Sequence, residues 1–305
     1  HPDQDLRLNL LRRTLDARGQ RTALEQHLAR FPSDAEVQTQ LCNVLRTLND
    51  NRALKACMER VRLLAPGSVY AERVQAEADG REMGDDLLPI ADVKVLMAEL
   101  AAEEARSAPY LKDQPTVVLL DSCRRVVRSN GASWFVKHRI TRIGTREAAD
   151  AMGEVLLDSI EERRLLRVIK PDGSVVEPEV AQGKAEVSLS GLGPGDVLEL
   201  RTVGVMDVPA ADGMFTEAFH FAESSPLLHS EYVLEVPDAL SPHAVISVAN
   251  GAPVAAVTSS GGISRHTWRA EKVPAVNPEP YSAPPLEHLP RVLVALRIPA
   301  DVDAR

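Results

Sequence analysis

The hydrophobic period of the sequence changes near Thr116, and this change limits the possible folds more than any other feature. Before it, apolar residues recur every three or four positions, as they do on one face of a helix. After it, short runs rich in β-branched residues are separated by glycine, proline and asparagine turns. Helices followed by strands predict a multidomain α+β protein, with helical hairpin repeats first and an antiparallel β-sandwich after them.

Residues 1–82 are predicted to form paired helices with a 34-residue period. Pro32 and Pro66 close successive pairs, and apolar positions such as Leu24 and Met58 coincide in the same register. This pattern resembles degenerate tetratricopeptide repeats. The resemblance implies a groove that docks a peptide or protein. The alternative is a helical spacer, which we favour because a curved groove needs several stacked repeats.

A helical connector is predicted for residues 83–114, and an antiparallel β-sandwich with a proline-rich end for residues 115–305. Turn residues at Ser129–Gly131, Pro171–Gly173 and Gly191–Asp196 predict three hairpins, because glycine and asparagine there permit tight reversals. Prolines recur between residues 273 and 290, so this tail is expected to be an extended segment on the surface.

Five turn and strand motifs of the β-rich region occur in a characteristic order. They are Ile169–Gly173, Leu192–Leu200, Phe221–Pro226, Val233–Pro237, and Trp268 followed by the prolines up to Pro290. Over roughly residues 111–305, this order resembles the uncharacterised β-domain that precedes bacterial transglutaminase-like domains. The resemblance implies that a papain-like cysteine domain follows and is the partner of this chain. The chain would then be a non-catalytic accessory or substrate-positioning fragment. The sequence leaves its location open, with the bacterial cell envelope or periplasm favoured over the cytoplasm.

The proline-rich tail is the candidate interdomain docking segment. Its proposed contact residues are Glu279, Pro280, Tyr281, Pro284 and Pro285. A rigid extended strip can dock a neighbouring domain at a small entropic cost. The alternative is a solvated linker, for which proline-rich composition is equally typical.

Composition excludes several other functions. The 35 basic and 44 acidic residues give a net charge of −9, so no basic surface for nucleic acid is expected. No apolar run is long enough for a transmembrane helix, and a start at His1 is typical of a fragment. Three scattered cysteines, Cys42, Cys57 and Cys123, fit neither a zinc site nor a disulfide framework and are expected to be buried, inert thiols. No cofactor or metal is predicted.

Several other residue groups resemble catalytic or binding sites, but a structural interpretation fits each of them better. Cys123 near His138 suggests a nucleophile and its base, but no family signature surrounds it. The loop Gly191–Gly195 lacks the lysine and helix of a phosphate-binding loop. Glu161–Glu162 fits a solvated face better than acid–base catalysis. Four histidines with no ligand spacing occupy the strand region: His220, His229, His243 and His266. A stand-alone peptide- or glycan-binding module is therefore the main alternative function.

Overall fold

The computed structural model describes residues 17–48, 50–66, 68–78, 81, 88–156, 161–178, 186–206, 214–277 and 284–299. The chain divides into two compact units, residues 1–83 and 84–305. The first is helical, and the second is built mainly of strands, so the chain is of the α+β class. None of the described helices is long and apolar enough to cross a membrane.

The described part of the first unit is a series of helices. These are α1 (Ala17–Arg30), α2 (Ala35–Thr47), α3 (Asn51–Leu64) and α4 (Val69–Ala78). Helix α3 begins after Asp50, whose carboxylate accepts a hydrogen bond from the Ala53 amide and caps the helix. Leu24, Leu45 and Val61 are buried together between the helices. A further helix predicted before Ala17 lies outside the described residues.

Cys42 on α2 and Cys57 on α3 form a disulfide, with their Cα atoms 5.6 Å apart. The expected burial of both sulfur atoms is confirmed, but the expectation that they are thiols is wrong. The two cysteines are 15 residues apart and meet because α2 and α3 pack as a hairpin. That separation matches no short cysteine motif, so sequence spacing alone did not reveal the bond.

The second unit contains three sheets among its described residues. Its strands are β1 (Thr116–Val127), β2 (Ser133–Ile143), β3 (Glu154–Leu156), β4 (Glu161–Ile169), β5 (Val175–Val176), β6 (Glu186–Ser188), β7 (Val197–Met206), β8 (Met214–His220), β9 (Leu227–Pro237), β10 (Ala244–Ala249), β11 (Ala256–Ser260), β12 (Ile263–Val273) and β13 (Arg291–Arg297). The large sheet has eight strands in the order β11-β12-β9-β1-β2-β7-β4-β5. A small sheet has the order β10-β13-β8, and β3 pairs with β6.

Two of the three predicted hairpins are confirmed. Gly131 and Gly173 adopt positive φ angles in the turns between β1 and β2 and between β4 and β5. The third hairpin, around Gly191–Asp196, is wrong, because β6 pairs with β3 instead of β7. Strand β7 is already paired on both edges, with β2 and β4, so no edge remains for β6.

The large sheet is mixed, which corrects the expected antiparallel arrangement. Strands β1 and β9 run parallel, with Cys123 opposite Tyr232. Parallel neighbours cannot be joined by a tight turn and need a longer connection. Here the connection spans residues 128–226 and includes several other strands. Turn motifs reveal neighbouring antiparallel strands only, so this pairing left no local signal in the sequence.

The small sheet and one face of the large sheet share a hydrophobic core. Phe215 and Val294 of the small sheet are buried together with Phe135 and Trp268 of the large sheet. Strand β7 carries Gly204 under the Phe135 ring, where an added Cβ atom would lie 2.1 Å from the ring. Glycine is therefore required for this aromatic side chain to lie flat against the sheet.

The opposite face of the large sheet is covered at one end by helix α5 (Val93–Ala105). Leu96 and Leu100 of α5 pack against Leu119, Ile140 and Val197 of the sheet. Asp92 caps the helix by accepting a hydrogen bond from the Lys94 amide. Two shorter helices complete the unit, α6 (Arg146–Ala151) and α7 (Pro285–His288).

The disulfide makes a direct prediction about free thiols. The unfolded chain without reductant should contain one titratable thiol, Cys123, and three after reduction. Reduction should lower the stability of the helical unit by about 3 kcal/mol, the value expected for a cross-link closing a 15-residue loop. Thiol titration and unfolding followed by far-ultraviolet circular dichroism measure both effects. Cys123→Ser is the control and should leave no thiol before reduction. Three thiols without reductant would disprove the bond.

Candidate functional site

The candidate docking segment is only partly described. Glu279, Pro280 and Tyr281 lie outside the described residues. Pro284 is exposed, and Pro285 is the first residue of α7, so this part of the tail is helical where an extended segment was predicted. Proline suits the first position of a helix, because its missing N–H has no helical partner there.

Helix α7 is fixed to the sheet region by one side chain. The amide of Asn250, which follows β10 in a left-handed conformation, donates hydrogen bonds to the carbonyl oxygens of Glu287 and Leu289, at 2.7 and 3.1 Å. The Leu289 side chain is buried. The end of the proline-rich segment is therefore held in a defined place.

The arrangement of β1 and β2 separates Cys123 from His138. The strand register pairs Cys123 with Lys137 and Ser122 with His138. Paired residues share a face of the sheet, and neighbouring residues along a strand point to opposite faces. The thiol and the imidazole therefore project from opposite faces, and they cannot form a nucleophile–base pair.

The environment of Cys123 also opposes its ionisation. Burial, and then the nearby Glu217 carboxylate, raise the pKa of this thiol to about 12. Since the thiolate is the nucleophilic form, a thiol with such a pKa is unreactive at neutral pH. Cys123 therefore serves as a small apolar residue of the core.

Next to Cys123, an ion pair crosses the core between the two sheets. The guanidinium of Arg125 on β1 donates two hydrogen bonds to Glu217 Oε1 on β8, from Nε at 3.1 Å and from Nη2 at 2.5 Å. The Arg125 guanidinium also lies 4.2 Å from the centre of the Phe135 ring. Both charged side chains are almost fully removed from solvent. A buried charge needs such partners, because desolvation is costly.

Tyr232 completes this inter-sheet cluster. Its hydroxyl donates to Glu217 Oε2 at 2.5 Å, and its ring is stacked between Phe219 and Trp268. Burial, and then the adjacent carboxylate, raise the pKa of Tyr232 well above its usual value. The phenol thus remains a hydrogen-bond donor, and it adds a second hydrogen bond to Glu217 Oε2, which also accepts from Arg125 Nε at 3.0 Å.

A second cluster on the same face of the large sheet surrounds Arg139. Its guanidinium donates to Glu223 at 2.5 Å and lies 3.5 Å from Asp121. Burial raises the pKa of Asp121 despite the attraction of Arg139. A cavity of about 270 Å³ opens beside Arg139, lined also by Thr141 and by apolar side chains that include Leu198. Two carboxylates already neutralise this arginine, so it is poorly suited to bind an anion.

The third cluster lies on the face of the sheet that carries α5. The buried Glu199 carboxylate accepts hydrogen bonds from His138 Nε2 at 2.9 Å and from Arg167 Nε at 2.7 Å. Burial alone would raise the pKa of Glu199, but these hydrogen bonds outweigh it and hold the pKa below its usual value. His138 is therefore bound to a carboxylate that joins three strands.

The two glycine-rich turns are hydrogen-bonded to each other. Lys170 Nζ, at the start of the turn between β4 and β5, donates to the Gly191 carbonyl oxygen at 2.6 Å and to Asp196 at 2.7 Å. Asp196 also accepts from the Gly193 amide at 2.8 Å. The carboxylate and lysine therefore fill this loop from within, which agrees with its interpretation as a turn.

The four histidines of the strand region lie in different surroundings. His229 is hydrogen-bonded to Glu99 of α5 at 2.8 Å, and the His266 ring stacks on Trp268. His220 lies on β8, where burial and then Arg291 lower its pKa, and His243 is exposed. Within the described residues, no three His, Cys, Asp or Glu side chains are arranged to hold a metal ion.

A cavity of about 360 Å³ lies between the first turns of α5 and the strands β4, β5 and β7. Its walls are mainly apolar, with Met97, Ile169 and Val197 among them, and Lys94, Arg167 and Lys170 also line it. Two of these cations are already paired, Arg167 with Glu199 and Lys170 with Asp196. The cavity could accept a small apolar group, such as one peptide side chain.

The inter-sheet ion pair makes a prediction about stability. Glu217→Leu should destabilise the second unit by about 3–5 kcal/mol, because Arg125 would stay buried without its carboxylate. The double variant Arg125→Met with Glu217→Leu should lose less than the single variant, since no unpaired charge remains. Urea unfolding followed by tryptophan fluorescence measures this unit, because both tryptophans, Trp134 and Trp268, lie in it.

The exposed pair between Arg146 and Asp150, 3.3 Å apart, provides the control. Asp150→Asn should cost less than about 1 kcal/mol, as expected for a solvated ion pair. An equally small effect of Glu217→Leu would contradict the structural importance of the buried pair.

Comparison with known families gives one match. Residues 182–277 match DUF3857, described as a domain of unknown function with a solved structure. The matched segment is a part of the β-rich unit, from before β6 to just after β12. No curated protein matches the chain.

Several solved structures resemble the chain at low identity. A protease candidate from Parabacteroides distasonis has a TM-score of 0.49 and 15% identity, over 59% of this chain and 40% of that one. An M1 zinc metallopeptidase from Deinococcus radiodurans has a TM-score of 0.33 and 13% identity, over 60% and 42% of the two chains. Aminopeptidase A from Legionella pneumophila has a TM-score of 0.35 and 9% identity, over 61% and 22%. The chain thus spans less than half the length of each.

Proposed function

We propose that this chain is a non-catalytic accessory fragment of a larger bacterial transglutaminase-like cysteine protein, in which it positions the substrate or the catalytic domain. The observation that carries the proposal is the state of Cys123, a buried thiol with a raised pKa on the face opposite His138. The ionisable side chains around it serve to join strands and sheets. Such a module offers a stable surface and leaves the chemistry to another domain.

Two finer features of the fold belong to this proposal. We infer tetratricopeptide-type repeats in the first unit, because α1 and α3 start 34 residues apart, as do α2 and α4. We also infer that the large and small sheets form a sandwich, because side chains from both contribute to one core.

The proposed docking surface is the proline-rich segment from Glu279 to Pro285. Its support is indirect, since α7 at the end of this segment is fixed by Asn250. A segment with a fixed end loses less entropy on docking than a free linker. We further propose a bacterial envelope or periplasmic location. The disulfide between Cys42 and Cys57 supports it, because disulfides persist mainly in oxidising compartments.

The test uses the gene beyond Arg305. A Cys, a His and an Asp should follow in that order within about 150 residues, an ordinary domain length. The long chain should cleave a glutamine-containing peptide or transfer its acyl group to an amine. Removing residues 1–305 should raise KM about tenfold and change kcat less, since substrate positioning is what is lost.

Paired cysteine variants serve as the controls. In the long chain, Cys123→Ala should leave the activity unchanged, whereas alanine at the downstream cysteine should abolish it. Two results would contradict the proposal: activity of residues 1–305 alone that requires Cys123, or a downstream sequence without the three catalytic residue types.

A stand-alone peptide-binding module is the second candidate function. The cavity beside α5 favours it, because apolar walls next to the open strand edge of β5 could receive a side chain of an extended peptide. The two candidates differ in one observable. The binding module would be favoured if residues 1–305 bind a peptide and lose this binding in Met97→Trp, which would fill the cavity. It would also require that removing these residues leaves the kinetics of the long chain unchanged.

A further inference from the structure

One surface segment of the β-rich unit carries no charge. Residues 244–264 contain no Asp, Glu, Lys, Arg or His, although charged residues make up 26% of the chain. At that average, a segment of this length would contain about five charged side chains. His243 and Arg265 flank the segment, which comprises β10, the six residues after it, β11, the turn at Gly261 and Gly262, and the first two residues of β12.

Both strands of this uncharged segment lie at sheet edges. β10 is the first strand of the small sheet and β11 the first strand of the large sheet. Within the described part of the chain, the outer edge of each pairs with no other strand. An edge strand presents backbone N–H and C=O groups that can pair with another strand.

The segment exposes apolar side chains along these edges. Val245 on β10 is 68% exposed, Val254 before β11 is 88% exposed, and Val257 on β11 is 58% exposed. All five residues of β11 are exposed. These valines lie on two strand edges and on the loop between them, and exposed apolar side chains of this kind are typical of a protein interface.

The usual protections against edge pairing are missing from β11. Its five residues, Ala256–Ser260, include no lysine and no proline, and they pair with β12 in a regular register without a bulge. Soluble proteins commonly place such features on edge strands to prevent association. Their absence here, on a well-formed strand, indicates that association at this edge is tolerated or used.

We propose that β11 is a self-association edge, at which a second copy of this chain pairs antiparallel with the first. Around a twofold axis at Thr258, Ala256 faces Ser260 of the other copy and Val257 faces Ser259. Each large sheet then continues into the other. The side chains in this register are small or β-branched, and such residues pack well between paired strands.

The charge distribution of this edge permits a second copy as the occupant. Two copies with a net charge of −9 repel each other, and a contact between identical charged surfaces brings like charges together. The uncharged edge avoids that repulsion. The nearby Asp238 carboxylate accepts hydrogen bonds from the hydroxyls of Ser259 on β11 and Ser264 on β12, at 2.9 and 2.6 Å.

Sedimentation velocity of residues 1–305 over a wide concentration range tests this proposal. A reversible dimer is expected for the parent chain. Val257→Lys should raise the dimer Kd at least about tenfold, because each copy would place an ammonium group at the twofold contact. The matched control is Val95→Lys on α5, because the Val95 side chain is 61% exposed, similar to that of Val257. The dimer Kd of this control variant should equal that of the parent chain.

Hydrogen exchange of the parent chain provides the second measurement. The amides of β11 should become more protected as the protein concentration rises. At a concentration below the dimer Kd, the melting temperature of Val257→Lys should match that of the parent, which shows that the variant is folded. A monomer at every concentration would overturn the proposal. So would a dimer that Val257→Lys leaves intact, or concentration-dependent protection confined to other strands.

Discussion

The buried contact between Arg125 and Glu217 joins the two sheets of the β-rich unit across their shared core. Arg125 extends from β1 at the centre of the large sheet, and Glu217 extends from β8 at the edge of the small one. Each charge would be costly to bury alone, so packing that keeps these two residues in contact is favoured. Both carboxylate oxygens accept from Arg125, and Oε2 also accepts from the Tyr232 hydroxyl. The same carboxylate lies close enough to Cys123 to help keep its thiol protonated.

Other ionisable side chains in the described strands are paired with one another in the same way. His138 is occupied by Glu199, and Arg139 is shared by Asp121 and Glu223. Each cluster links neighbouring strands or joins a strand to a loop, and its hydrogen bonds offset the cost of burial. Strand pairing also separates the thiol from the imidazole, so proximity along the hairpin does not become proximity in space.

Local sequence signals predicted the local structure well. Glycines at the turns predicted two hairpins, because these features depend on adjacent residues. Long-range contacts left weaker signals. Arg125 is 92 residues from Glu217. Nothing local indicated its partner. The parallel pairing of β1 with β9 and the disulfide were missed for the same reason.

We propose that Cys123 is a structural residue, as expected of a module that leaves the chemistry to another domain. The rate of alkylation by iodoacetamide tests it most directly, because Cys123 is the one free cysteine of the chain. In the native protein at neutral pH, Cys123 should react far more slowly than in the unfolded chain, since it is buried and its pKa is raised to about 12. Rapid labelling of the native protein, with a rate that rises through a midpoint below pH 8, would contradict the account.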